Sequence, residues 1–332
     1  HTAYRRQRQM CIRDRLEKLR KQSYNLANVE SREHSDQGSY VRSVFAACLP
    51  HLAHCANKFS EMSLLLKRHV QSTSYGQNRG IEKDDDDIHD SVFNIPIEEI
   101  SKRFELLATS ILTDSEPNVR IALLENISPL CAFFGKENTN NIVLSHLLTY
   151  LNDRSLNSSK IRLAFVESIL SISIFVGVFS LEEYMLPLLI QTLYDPDESV
   201  VVEVLRVFTE LTKLGLIEKN RLWDIIRSTA KLLLHPNQWI RQSTLCLIIA
   251  VSENITLADI YCMLYPLIRP FFQYEVADFS WETLFACTHK PINRSVFNLA
   301  KKWSLTKEDT LFWEIVPHSS NQMKSNPYGN NN

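Results

Sequence analysis

Glycine is scarce in this sequence, with only 7 among 332 residues. Phosphate-cradling loops and tight hairpin turns both depend on glycine, so the scarcity argues against nucleotide-binding loops and strand-built folds and favours helices. The sequence also lacks a large excess of either charge. Its formal net charge of -2 gives no broad field to attract nucleic acid or an anionic membrane. We therefore predict that the chain has no nucleic-acid partner.

The cysteines form no recognisable framework. There are 7 of them, and no two have the C-x-x-C spacing. This usage is typical of reduced thiols in the cytosol rather than of disulfides or zinc ribbons. The longest nearly apolar run, residues 169–181, is shorter than the roughly 20 residues that a membrane-spanning helix needs. It indicates a buried helix, and no signal peptide is visible.

A turn that recurs along the chain is the main positive feature. In most copies a leucine and an aspartate precede a short loop, after which a branched aliphatic residue opens an apolar helix. The residue after that aliphatic is Arg120, Arg162, Val201 and Arg241 in successive copies, at intervals of 42, 39 and 40 residues. An earlier Arg42, 78 residues before Arg120, indicates a further copy followed by an insertion. Periods of about 40 to 47 residues are typical of HEAT and armadillo repeats.

Apolar residues around one such turn follow the helical period. Those of the helix before the turn fall at i, i+3, i+4 and i+7: Leu144, Leu147, Leu148 and Leu151. Those of the helix after it are Ile161, Phe165, Ile169 and Ile172, and its apolar character extends through Phe175, Val176, Val178 and Phe179. Because a lone helix pair cannot cover both of its apolar faces, neighbouring pairs must stack. We predict an all-α, HEAT/armadillo-like helical-repeat solenoid.

The polar residues of the repeated turns are predicted to be structural. HEAT proteins often join repeats by a ladder of turn aspartates and basic residues early in the following helix. The residues assigned to this role are Asp114, Arg120, Asp153, Arg162, Asp195 and Arg241. The ladder is incomplete, because Val201 replaces one basic residue and His235 replaces one aspartate.

The same patterns predict how the chain is organised. Residues 1–35 form a poorly ordered or non-native extension, and residues 36–70 form the first helical repeat. Residues 71–95, which include the aspartate run 84–87, form an acidic disordered insertion. The solenoid occupies residues 96–304, and residues 305–332 form a polar linker or tail.

Several polar clusters were weighed as sites and assigned structural roles. His146 lies seven positions before Asp153, about 10 Å along a helix, too far to form a catalytic pair with Asp153 and Arg162. His51, His54 and Cys55 have a spacing that suits zinc, but no fourth ligand is evident. The run Asp84–Asp87 lacks the glycine and glutamate of a calcium loop. We predict no catalytic, cofactor-binding or metal-binding residues.

Partner contacts remain open at two places. Trp239 lies in a turn between helices, where it either caps the repeat core or, together with Arg241, forms a ridge that contacts another subunit. The cap is the favoured interpretation from the sequence, and the contact ridge is the hypothesis to test. Lys136 and residues 138–141 form a polar loop between helices, which either binds a partner or simply starts a helix.

Longer strings carry a family resemblance. They include "NISPLCAFFGKENTNNIVLSHLLTYLND", "LLHPNQWIRQSTLCLIIAVSENITLADIYCMLYPLIRPFF" and "KPINRSVFNLAKKW". Over about residues 39–304 the chain resembles the helical-repeat region of the regulatory subunits of class III phosphatidylinositol 3-kinase complexes, the vacuolar-sorting protein kinases. Whole members of that family also have an N-terminal kinase or kinase-like domain and a C-terminal propeller. No glycine-rich loop, His-Arg-Asp or Asp-Phe-Gly motif is present here, so no kinase residue can be placed.

The resemblance implies a scaffold without enzymatic activity of its own. It predicts two partners, the lipid kinase catalytic subunit and a Beclin-like coiled-coil subunit, and a role in endosomal sorting and autophagy. It also predicts a cytoplasmic protein that reaches endosomal, vacuolar and autophagic membranes only through the assembled complex. Two alternatives stay open: a generic HEAT adaptor, such as a phosphatase scaffold or transport factor, and a parent protein that phosphorylates proteins through a domain outside this chain.

Overall fold

The computed structural model describes residues 35–74, 97–150 and 158–305. These residues form helices joined by short turns, and the only β-type pairing among them is one bridge between Phe272 and Thr288. The predicted all-α helical-repeat solenoid is confirmed. The ranges 1–34, 75–96, 151–157 and 306–332 lie outside the described residues, and so do the acidic run, Leu151 and Asp153.

We call one first helix, its turn and the following second helix a unit. The second helices are α1 (Ser35–Ser74), α3 (Pro117–Leu124) with α4 (Ser128–Asn138), α6 (Ser158–Val176), α9 (Glu198–Lys213) and α11 (Gln238–Asn254). The first helices are α2 (Ile97–Leu112), α5 (Ser145–Tyr150), α8 (Leu186–Thr192), α10 (Lys219–Thr229) and α13 (Tyr265–Ile268). Helix α1 continues beyond residue 70, where the sequence analysis ended the first repeat.

Shorter segments complete the units. The π-helical segments Thr139–Leu144, Leu181–Met185 and Ile260–Leu264 lead into α5, α8 and α13. The short helices α7 (Val178–Ser180) and α12 (Leu257–Asp259) precede two of them, and the 3₁₀ segments Ala230–Leu234 and Arg269–Phe271 follow α10 and α13. Two further helices, α14 (Trp281–Cys287) and α15 (Arg294–Leu305), end the described chain.

The second helices stack in chain order. Helix α1 packs on α3 and α4, these pack on α6, α6 on α9, α9 on α11, and α11 on α14. Fully buried side chains such as Leu49, Leu123, Phe165 and Phe208 come from successive members of this stack. Each large aliphatic side chain buried in this way contributes roughly 1.5 to 3 kcal/mol. Burial between neighbouring units is therefore what holds the helices together.

Glycine with positive φ marks where one unit passes into the next. Gly135, Gly177 and Gly215 have φ of 68°, 89° and 67°, a backbone conformation that disfavours other residues. The prediction that this apolar helix extends through Val178 and Phe179 is wrong. Helix α6 ends at Val176, the chain turns at Gly177, and Phe179 is 71% exposed at the start of the next unit.

Candidate functional site: the turn edge

The turns between the first and second helices line one edge of the stack, which we call the turn edge and define by the turns at Asp114, Asp195 and His235. Each turn is closed by a side chain that accepts a hydrogen bond from the backbone N–H two residues ahead. Asp114 Oδ1 accepts from Glu116 N–H at 2.9 Å, and Asp195 Oδ1 accepts from Asp197 N–H at 2.8 Å. Such local bonds favour turns over continued helix.

The same two carboxylates bind an arginine from the preceding unit. Arg42 Nε lies 2.8 Å from Asp114 Oδ2, and its Nη2 donates to Oδ1 at 3.3 Å. Arg162 Nε lies 2.7 Å from Asp195 Oδ2, and its Nη2 donates to Oδ1 at 3.0 Å. The side chains of Arg162 and Asp195 are only 10% and 7% exposed. Two-point, charge-assisted bonds of this kind fix the position of one unit on the next.

The ladder therefore joins the second helix of one unit to the turn of the following unit. Spacing along the sequence predicts that Asp114 pairs with Arg120, and Asp153 with Arg162, within one copy of the repeated turn. The structure brings together Arg162 and Asp195 instead. Arg120 lies with its guanidinium 5.2 Å from the ring centre of Tyr150. Its relation to Asp153 falls outside the described residues, so that step of the ladder stays a prediction.

This register explains the gap in the ladder. Val201 occupies the arginine position of the unit before His235, so the missing basic residue and the missing aspartate belong to the same junction. His235 keeps the turn closed, because its Nδ1 accepts from Asn237 N–H at 3.0 Å. Both positions are buried. Replacing both members of a buried ion pair avoids leaving an unpaired buried charge, which is strongly destabilising.

The C-terminal segment supplies other contacts at this junction. Glu198 accepts hydrogen bonds from Asn237 Nδ2 at 2.6 Å and from the guanidinium of Arg294 in α15. The ring of Phe297 lies edge-on to His235 with 4.7 Å between centroids. The backbone N–H of Ile292 donates to Leu234 O at 2.9 Å. The end of the described chain thus returns to the turn edge where the ladder is interrupted.

Charge at this junction follows from these contacts. The hydrogen bond from Arg294 holds the pKa of Glu198 below its usual value, so this carboxylate stays ionised. Burial lowers the pKa of His235, and the nearby Glu198 opposes that shift only in part. His235 Nε2 lies 4.0 Å from Glu198 Oε1, which would suit an ion pair. Because Nδ1 already accepts a hydrogen bond, we assign a neutral imidazole with its proton on Nε2.

Trp239 and Arg241 have different environments on this edge. Trp239 is 70% exposed, and its backbone N–H donates to Asn237 Oδ1 at 2.8 Å. Arg241 is half-buried, and its Nη1 donates to His235 O at 2.7 Å and to Pro236 O at 2.9 Å. The indole therefore does not cap the repeat core, while the guanidinium stabilises its own turn. Contact of either residue with a partner stays a prediction.

A second aromatic side chain is exposed on the same edge. Tyr194, the residue before Asp195, is 67% exposed. The ammonium group of Lys231 lies 4.5 Å from the centre of its ring. This cation–π contact restrains the ring, which stays largely exposed. Exposed tryptophan and tyrosine side chains with little freedom are typical of binding surfaces. Nothing in the sequence distinguishes Tyr194 from the other residues of the turns as an exposed, restrained aromatic side chain.

The residues first considered for catalysis are not brought together. His146 Nδ1 lies 2.7 Å from Ile142 O, one turn back in its own helix. Arg162 is bound to Asp195, and Asp153 lies outside the described residues. The histidine is thus held by the backbone rather than by a catalytic partner.

The metal hypothesis on α1 finds no cluster among the residues that the structure describes. His51 Nε2 lies 3.2 Å from Asn126 Nδ2, and His54 and Cys55 are exposed. Across the described ranges, no three histidine, cysteine or acidic side chains are placed to share a metal ion. In the same ranges, no helix has the length and hydropathy needed to cross a membrane.

The polar loop after Gly135 joins two units at the opposite edge. Asn140 Nδ2 donates to Lys136 O at 2.9 Å and to Val176 O at 3.2 Å, and Asn138 Nδ2 donates to Glu105 at 3.0 Å. Beside it, Phe179 and Tyr184 line an open groove together with Lys136 and Asn140. These amides bind backbone carbonyls and a carboxylate of neighbouring helices, so a structural role accounts for their contacts.

Known proteins are similar to this chain in sequence. Residues 22–301 match the family model described as PIK3R4-like, middle domain. A Komagataella pastoris protein named as a serine/threonine-protein kinase VPS15 is 47% identical over 309 residues, which cover 93% of this chain and 21% of that protein. The Saccharomyces cerevisiae serine/threonine-protein kinase VPS15 is 42% identical over 293 residues, covering 88% of this chain and 19% of that protein.

The fold defines the class of protein, and the comparisons then define the family. The stacked units and their ladder define an all-α helical-repeat protein. The chain belongs to the PIK3R4-like middle-domain family, as the resemblance of its longer strings predicts. It spans about a fifth of the length of the VPS15 relatives that it matches. The matched part is a middle domain, distinct from a kinase domain, and the chain itself is not the enzymatic part of such proteins.

Proposed function

We propose that the chain is the scaffold segment of a regulatory subunit that assembles a class III phosphatidylinositol 3-kinase complex. Its partners are the lipid kinase catalytic subunit and a Beclin-like coiled-coil subunit. Through that complex it acts in endosomal sorting and autophagy, on endosomal, vacuolar and autophagic membranes. The observation that carries the proposal is the match of residues 22–301 to the PIK3R4-like middle domain.

The geometry supports a scaffold. A stack of units fixed by buried ion pairs is stiff along its length and presents an extended surface to several partners. The turn edge adds two exposed aromatic side chains, Trp239 and Tyr194, and Lys231 restrains the ring of Tyr194. Aromatic side chains have few rotatable bonds and lose little conformational entropy on binding, so they are suitable anchors for a partner.

A binding experiment tests the proposal. The tagged chain, incubated with the purified lipid kinase catalytic subunit and the coiled-coil subunit, is expected to retain both. Trp239→Ala should weaken retention by about 30-fold, the effect of losing an anchor worth about 2 kcal/mol. Phe179→Ala, which removes a side chain that is 71% exposed beside the polar loop at the opposite edge, serves as the control and should have little effect.

Failure has two separate forms. If neither subunit is retained by the unaltered chain, the scaffold assignment is refuted and a generic adaptor role gains support. If both are retained equally by Trp239→Ala, the scaffold assignment stands and the turn edge is not the binding surface. Phosphotransfer by the parent protein stays a separate proposal, and the chain alone is expected to show none.

A further inference from the structure

Helix α1 carries an exposed stripe with the spacing of a coiled coil. The spacing between successive members of this stripe alternates between three and four residues over 25 positions, and every member is exposed. They are Val41, Val44, Cys48, His51, Cys55, Lys58, Met62 and Leu65. We call these eight residues the α1 seam. Six of the eight are apolar or thiol side chains, and Met62 and Leu65 are 57% and 62% exposed.

The opposite side of α1 is already used by the core. Ala46, Leu49 and Ala53 are completely buried, and Arg42 is fixed to Asp114 of the next unit. Pro50, which removes one helical hydrogen bond, lies on this buried side. The rotation of α1 about its axis is therefore set by the solenoid, and the α1 seam must face outward.

A second α-helix fits the spacing of the α1 seam. An alternation of three and four residues averages 3.5 residues, the repeat that keeps one apolar face in contact with a partner helix along its length. From Val41 to Leu65 the α1 seam is about 36 Å long, at 1.5 Å per residue. An exposed apolar stripe of this length is typical of an interaction surface in a soluble protein.

Charge indicates what kind of helix the α1 seam would accept. Between residues 40 and 69 the sequence has four basic residues and a single acidic one, Glu61. Arg42 is bound to Asp114, but Lys58 and Arg68 are exposed at the α1 seam and beside it. A second copy of this chain would bring the same basic residues together. A helix with acidic flanks would instead complement them.

We propose that the α1 seam is the docking surface for an amphipathic α-helix of another chain, with an apolar stripe and acidic flanking residues. This proposal adds a binding surface to the proposed scaffold function. It rests on that function in one respect, namely that the chain works by binding other chains. It names a surface on the first described helix, separate from the turn edge around Trp239.

Synthetic helices provide the probe. One 28-residue peptide carries leucine at the a and d positions and glutamate at e and g, and a second carries lysine at e and g. Fluorescence anisotropy measures their binding to the purified chain. We expect the acidic peptide to bind at least 10-fold more tightly than the basic one. The lipid kinase does not take part, so this result is independent of the test of the proposed function.

A matched pair of variants locates the binding. Leu65 belongs to the α1 seam, whereas its neighbour Leu64 does not, and the two are 62% and 49% exposed. Leu65→Glu should weaken binding of the acidic peptide at least 10-fold, and Leu64→Glu should change it less than twofold. Since both side chains are largely exposed, both variants should keep the circular dichroism spectrum of the unaltered chain.

Any of four outcomes would overturn the proposal. Two concern the peptides: the acidic peptide binds no more tightly than the basic one, or Leu64→Glu and Leu65→Glu weaken its binding equally. Sedimentation that shows a dimer lost specifically in Leu65→Glu would assign the α1 seam to a second copy. Binding to phosphatidylserine vesicles that Leu65→Glu abolishes would assign it to a membrane surface.

Discussion

The buried ion pair between Arg162 and Asp195 offers a test of how neighbouring units are joined. Removing one member of a buried ion pair leaves the other charged and unpaired, which costs about 3 to 5 kcal/mol. Arg162→Val should therefore destabilise the chain by about this amount, because the Asp195 carboxylate is only 7% exposed. Asp195→His alone should have a similar effect, since it leaves the guanidinium buried beside an imidazole.

The chain itself contains the compensated form of this junction. At the next junction Val201 and His235 stand in these two positions, and His235 Nδ1 accepts the bond that closes the turn. The double variant Arg162→Val/Asp195→His transplants that arrangement. We expect its loss of stability to be smaller than the sum of the two single losses by about 2 to 3 kcal/mol, the upper part of the range for residues in direct contact.

Urea unfolding followed by circular dichroism measures the four stabilities of this cycle. The exposed pair of Arg227 with Asp224 within α10 is the control. Arg227→Met should cost less than about 1 kcal/mol, as surface ion pairs do. The reasoning is refuted if the losses at 162 and 195 add to within about 0.5 kcal/mol, because independent sites behave in that way.

Two further predictions concern single residues at the unit boundaries. Burial lowers the pKa of His235 in the folded chain, so below about pH 6.5 the unfolded chain binds a proton that the folded chain does not. Stability should fall as the pH decreases from 7 to 5, and His235→Gln should flatten this slope in urea midpoints; an unchanged slope would contradict the assignment of a neutral, buried imidazole. Gly177 has φ of +89°, and an added Cβ would lie 3.1 Å from Lys136 Cε. Gly177→Ala should therefore destabilise the chain by about 1 to 2 kcal/mol in thermal unfolding, whereas Gly38→Ala, within helix α1, should not; equal melting temperatures for the two variants would contradict the argument from backbone strain.

The period and the helix pairs could be predicted from the sequence because they depend on local patterns. Apolar spacing defines each helix, and turn residues such as Asp114 and Asp195 break the pattern at regular intervals. Stacking then follows, since each unit has apolar residues on two sides. The same reasoning placed the ladder aspartates in the turns and the basic residues early in the following helices.

The partners of those residues could not be predicted in the same way. A count along the sequence groups Asp195 with Val201, whereas in space Asp195 meets Arg162 of the preceding unit. The sequence does not indicate that Nδ1 of His235 accepts the hydrogen bond that closes the turn, in place of a carboxylate oxygen. Contacts of Arg294 with Glu198 join positions 96 residues apart, and no local pattern encodes them.

The exposure of side chains was the other limit. Trp239 in a turn fits both a buried cap and an exposed anchor until the neighbouring helices are placed. The stripe on α1 has the same 3.5-residue spacing whether it faces the core or the solvent. Only the packing of Leu49 and Ala53 into the next unit shows which side of α1 is left exposed.

Hydrogen exchange after a local perturbation tests the serial stacking of units most directly. Ile248 in α11 is completely buried, and Ile248→Ala should cost about 2 to 5 kcal/mol. In a stack where each unit contacts only its neighbours, exchange read by mass spectrometry should rise in α11, less in α9 and α14, and not at all in α1 to α4. A uniform rise along all described helices would show a single cooperative core and contradict the account.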